Sequence, residues 1–210
     1  MTKARSTATL RGLLQDNWYV LLVAGIAVLI AVAGPHAGHA LRYDRAAILH
    51  GQWWRVLTGN FVHLGWSHLW LNLAGWLLVW LLFKDHVPIR TWIIATVFCS
   101  LGVGLGLLWG SPDLEWYVGL SGLLHGYFVV GALLSIRMGY RFELLLVASV
   151  IAKLAWEQTV GPLPGSEKYS GGHVVVDAHL YGALAGLVLA LLPMRWIAGE
   201  SVKPSASQSR

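Results

Sequence analysis

Six apolar stretches, each close to the length that crosses a bilayer as one helix, constrain this chain more than any other feature. They run over about 17–34, 67–83, 90–109, 117–136, 141–156 and 174–194. A hydrocarbon core of about 30 Å needs roughly 20 helical residues, and inside it backbone polar groups must be paired within the segment. The runs are continuous rather than alternating, which argues for helices and against barrel strands. Only 12% of the 210 residues are charged, against about 25% in soluble domains. The expected fold is an all-α membrane protein with six transmembrane helices. The fifth stretch is short, and Lys153 near its end is expected to snorkel toward the headgroups.

Six spans put both termini on one side. That side holds Lys3, Arg5, Arg11, Lys84, Arg90, Arg137, Arg141, Arg195, Lys203 and Arg210, while the other holds Arg42, Arg45, Arg55 and Lys168, with Lys153 at its margin. The excess predicts cytoplasmic termini. The net charge of +5 thus reflects topology, and nucleic acid is not an expected partner. The chain divides into a cytoplasmic segment over 1–16, a six-helix domain over 17–196 and a disordered cytoplasmic tail over 197–210. Lys3, Arg5 and Arg11 ahead of a run ending Ala31-Val32-Ala33 look like a secretory signal. That run is long for such a signal and its loss would leave five spans, so it is expected to stay.

The first outer connection, 35–66, is long enough to need structure or a function. Trp53 and Trp54 suggest a piece lying in the interface, with Arg55 as anchor. The Gly- and Pro-rich segment from Glu157 to His173 is on the same side and is expected to be mobile. Trp18, Trp66, Trp109, Trp116, Trp156 and Trp196 near span ends fit interfacial belts. The single Cys99 is read as a buried, inert thiol.

Three polar clusters interrupt the apolar segments: His68-Leu-Trp-Leu-Asn72, Gly119-Leu-Ser121-Gly122 and Ala178-His179. Polar groups in lipid are costly and are by default functional. His68 and Asn72, Ser121, and His179 lie near the starts of spans two, four and six, which run in the same direction, so all four reach one depth. Gly122 and Gly126 in one span, and Gly182 and Gly186 in the other, are small-residue stripes that permit close backbone approach. If these stripes face each other, Ser121 and His179 come within reach. A serine hydroxyl needs a neighbouring base, and a neutral imidazole suits that task. His68 and Asn72, four residues apart on one helical face, could hold a developing oxyanion, aided by the Ser121 backbone N–H.

No acid is evident as a third member. Asp177, two residues from His179, points elsewhere and reads as a carboxylate at the mouth of the site. His125 could stack on His179, bond to it or compete as the base, and a supporting role is preferred. His63 is assigned to the rim. No cofactor is expected. A zinc or haem site built on His63, His68, His125 and His179 would lack a His-Glu-x-x-His pair or clustered cysteines, so no metal is expected either.

In this order and on these spans, the residues resemble the rhomboid intramembrane serine proteases. The likeness rests on Trp54-Arg55, His63, His68 to Asn72, Gly119 to Gly122, and Ala178-His179-Leu-Tyr-Gly182-Ala-Leu-Ala-Gly186. His125 and the short core look most like the rhombosortase subgroup. The resemblance implies a rhomboid-like six-helix bundle with a long first outer loop. It implies a Ser121–His179 dyad, with His68 and Asn72 at the oxyanion and Gly119, Gly122 and His125 in support. It implies cleavage of membrane-anchored proteins that carry a C-terminal Gly-Gly sorting segment, in the bacterial inner membrane. Other membrane substrates, or capture of membrane helices without cleavage, are the alternatives. His125 departs from the family, where many members carry Tyr against the catalytic histidine.

Overall fold

A computed structural model describes residues 10–193 and Trp196, with side chains from Asn17 onward. Most of the 1–16 segment and all of the 197–210 tail lie outside the described residues. The chain is helical almost throughout: α1 (Leu10–Val32), α2 (Gly34–Leu41), α3 (Arg45–Leu49), α4 (Arg55–Thr58), α5 (Trp66–Phe83), α6 (Ile89–Gly110), α7 (Ser121–Arg137), α8 (Glu143–Thr159), α9 (Ser166–Ser170) and α10 (Val176–Leu191). Two short strands, β1 (Tyr43–Asp44) and β2 (Trp116–Tyr117), pair antiparallel, Tyr43 opposite Tyr117.

The apolar runs do become helices, and the protein is a multi-pass, all-α membrane protein. Among the described residues, α5 and α6 are long and apolar enough to cross a membrane, and α1 with α2 adds a third if that bent pair counts as one span. The bend is 118°. It falls at Gly34, whose φ of 84° turns the chain, with Pro35 in the first turn of the next helix. The other expected spans are shorter: α7 and α8 have 17 residues each and α10 has 16.

The fourth stretch is trimmed for a local reason. Tyr117 is drawn into the ribbon with Tyr43, and Gly119 adopts a φ of 132°, so the helix begins only at Ser121. Non-helical backbone of this kind is tolerated at depth where it lines a cavity.

The first outer connection is a folded layer. Arg55 donates from Nε to Gln52 Oε1 at 2.7 Å, and from its guanidinium to the carbonyls of His39 and Arg42 at 2.8 and 2.9 Å. Arg55 therefore ties α2 and the start of β1 to α4, and the groups it anchors to are the Gln52 side chain and backbone carbonyls. The main core joins α1, α5, α6, α7 and α10 around Trp76, Trp92 and Tyr127. Those rings are fully buried, whereas the six tryptophans placed near span ends are each at least 42% exposed. Cys99 is buried in this core.

Candidate active site

Helices α7 and α10 meet along their glycine stripes. A Cβ on Gly186 would lie 2.5 Å from the Gly126 carbonyl oxygen, and one on Gly182 would collide with the Gly122 carbonyl. Backbone touches backbone at two successive turns, which no larger residue permits. This contact sets the two reactive side chains against each other: His179 Nε2 stands 3.0 Å from Ser121 Oγ. Ser121 is the first residue of α7, so the N–H groups of the opening turn lack intrahelical acceptors.

A cavity of about 350 Å³ opens at this pair, and His68, Asn72, Ser121, His125 and His179 all line it. Five side chains singled out from the sequence therefore share one space. Asn72 donates from Nδ2 to the His68 carbonyl at 3.0 Å, leaving its second amide hydrogen free to serve another acceptor. The backbone N–H of Leu64 donates to His68 Nδ1 at 3.3 Å, which leaves Nε2 as the protonated nitrogen of the neutral ring. Gly119 lies under that ring, since a Cβ there would sit 2.9 Å from His68 Cε1. Its positive φ and this close approach both demand glycine. A Cβ on Gly122 would meet the Ala178 carbonyl at 2.8 Å.

His125 stacks on His179 with ring centroids 4.3 Å apart and planes 20° from parallel. Its Nδ1 contacts the Ser121 carbonyl at 2.7 Å, so it packs on His179 while the serine hydroxyl faces the His179 ring. His63 sets its ring edge-on to His68 at 5.1 Å. It lines a separate cavity of about 230 Å³ beside the α1–α2 bend. Burial first, then the neighbouring His68, pushes His63 down to about 3, so it backs His68 as a neutral ring.

Two expectations are overturned at α8. Glu157 does not open a loop: it occupies the last turns of α8 and is buried, 3% exposed. His179 Nδ1 donates to its Oε2 at 2.9 Å. Lys153 does not snorkel away. Its Nζ lies 2.7 Å from Glu157 Oε1 and 3.4 Å from His179 Nδ1, because an i,i+4 carboxylate turned inward offers closer compensation than the headgroups. A charged pair at the end of an apolar helix was the signal in the sequence, masked by the Gly-Pro run that follows it. Asp177 does turn away from the base, and its Oδ2 accepts from Ser111 Oγ at 2.5 Å. The segment after α8 folds over the cavity through α9, with His173 Nδ1 hydrogen-bonded to Glu167 Oε1 at 2.7 Å.

His125, Glu157 and His179 place ligand-type atoms within 4.8 Å of one another. The Lys153 ammonium already neutralises that carboxylate, and His179 spends both nitrogens on Glu157 and Ser121, so the donor set suits proton transfer better than a divalent cation.

Comparison with known proteins agrees with this architecture. Residues 50–196 match the Rhomboid domain family model. The chain is 26% identical over 164 residues to Rhomboid-like protein 11, chloroplastic, of Arabidopsis thaliana, a match covering 75% of this chain and 56% of that protein. The chain thus spans little more than half the length of that relative. Since the family model takes in well over half of a helical membrane chain, this protein belongs to the rhomboid family.

Proposed function

We propose that this protein is an intramembrane serine endopeptidase, with Ser121 as nucleophile and His179 as its base. The 3.0 Å approach of His179 Nε2 to Ser121 Oγ inside a cavity supports this reading above all. Attack of Oγ on a scissile carbonyl forms the C–O bond as the hydroxyl proton passes to Nε2. The resulting imidazolium then returns that proton to the leaving nitrogen as the C–N bond breaks, and water releases the acyl group by the same path in reverse. To His68, Asn72 and the Ser121 N–H, whose residues line that cavity, this reading assigns the oxyanion, where one such donor is worth about 2.7–4 kcal/mol.

The substrate class we propose is a membrane-anchored exported protein bearing a C-terminal Gly-Gly sorting segment, cut near the outer face of a bacterial inner membrane, with both enzyme termini cytoplasmic. Apolar walls around a few polar groups favour a small-residue stretch of helix that unwinds there. Co-expression with a Gly-Gly-tailed protein, followed by mass spectrometry of the new C-terminus, tests it. Wild type should yield one truncated product and Ser121→Ala none. Equal cleavage by both removes Ser121 as nucleophile, and capture of the substrate without cleavage by either points to a helix-binding protein.

A further inference from the structure

We infer that Glu157 is a positioning residue for His179 and that Lys153 keeps it charged, so that the site acts as a Ser121–His179–Glu157 triad with its own counter-ion. The inference rests on the hydrolase reading above and adds to it a member on a third helix.

Among the described residues, the only buried side chains of α8 are Glu143 and Glu157. The two differ in their partners: Glu143 leaves Oε2 without a hydrogen bond, and Glu157 leaves neither oxygen so. Both oxygens of Glu157 are engaged, Oε2 by His179 and Oε1 by Lys153. An ionised carboxylate only accepts, so the 2.9 Å contact fixes the proton of neutral His179 on Nδ1. That tautomer leaves the Nε2 lone pair aimed at Ser121 Oγ. When the hydroxyl proton arrives on Nε2, the imidazolium is formed beside a carboxylate already in place. Without Lys153, burying that carboxylate would be expensive and protonation would be its escape.

The charged and titratable groups facing His179 are His125 from α7, Lys153 and Glu157 from α8, and His68 across the cavity. Asp177, on its own helix, is committed to Ser111. Two charges of opposite sign at the same nitrogen make opposite predictions. In Glu157→Gln the shape is kept, but one amide oxygen must serve two donors. With that oxygen on Lys153, the NH2 group faces Nδ1 and favours the tautomer protonated on Nε2, which cannot take the serine proton. Removing the lysine as well frees the oxygen to turn back to His179.

The test uses the full chain in detergent or vesicles and the rate at which a fluorophosphonate probe labels Ser121, followed across pH. Glu157→Gln should slow labelling by about 10²–10⁴-fold and move the acid limb of the profile to lower pH. Lys153→Met should move that limb to higher pH, because the Glu157–His179 pair then binds its added proton more tightly without a neighbouring cation. The double variant should label at least about tenfold faster than Glu157→Gln alone, and Glu157→Asp should keep part of the rate. Thermal unfolding of each variant is measured beside it. Labelling of Glu157→Gln within about threefold of wild type overturns the role of Glu157 and leaves the dyad standing. So does a loss that follows lowered stability, with no displaced limb and no recovery in the double variant: Glu157 would then only fasten α8. An unlabelled wild type, or equal labelling of Ser121→Ala, overturns the hydrolase reading and the triad together.

Discussion

Helices α7 and α10 touch through glycine, carbonyl against Cα, over two turns, while α8 lies beside them with several large apolar side chains exposed and Leu146 and Val147 packed on the core. Leu144, Leu145, Ile151 and Trp156 on α8 are each at least 44% exposed, whereas Leu123 and Val130 of α7 are fully buried. Leu146 and Val147 pack α8 against the core, and a buried glutamate stands near each of its ends. Glu157 reaches His179 near one terminus, and Glu143, buried at the other, lies 3.9 Å from His86. In lipid the exclusion of water does not drive helices together, so close packing and polar contacts must do so. The molecule uses each in a different place: backbone packing where Ser121 and His179 are held at a fixed distance, and buried carboxylates where α8 lies along the bundle.

The sharpest way to break this comparison is at the glycine contact. Gly182→Leu should separate α7 from α10, and since a displacement near 1 Å can cost about 10²-fold, Ser121 labelling should drop at least that much. Retention of the wild-type rate would show that the backbone contact does not set the distance. Next in size, Leu123→Ala should destabilise the bundle by about 2 kcal/mol or more through the cavity it leaves, read by thermal unfolding in detergent. Gly119→Ala forces a β-carbon onto a φ of 132° and against His68, and a cost of about 1–3 kcal/mol is expected. Labelling should slow as the His68 ring is displaced. Smallest of all, Ile151→Ala should alter stability by no more than about 0.5 kcal/mol. A loss as large as that of Leu123→Ala would mean that α8 packs as tightly as α7. Hydrogen exchange sharpens the same contrast: amides of α8 should exchange before those of α7 and α10.

Much of the site was legible because polar residues stand out in apolar runs. His68, Asn72, Ser121, His125 and His179 could all be picked out that way, and the glycine stripes named the helix faces that would meet. Glu157 escaped notice for the converse reason. At the end of a helix, next to Gly161-Pro162, a glutamate is unremarkable, and nothing local says that it turns inward. Lys153 is equally opaque, since headgroups are the ordinary partner of a lysine near a span end. The trimmed start of α7 was also out of reach, because it depends on Tyr117 pairing with Tyr43, a residue 74 positions earlier.

By itself the sequence determined that the chain is a helical membrane protein, which polar residues stand out in its apolar runs, and which helix faces can approach closely, because hydropathy, side-chain chemistry and glycine spacing are local properties. Tertiary structure alone decided the 3.0 Å approach of Ser121 to His179, the start of α7 at the hydroxyl and the partners of Glu157. Each of these depends on groups far apart along the chain, and their separation is set only when the helices pack.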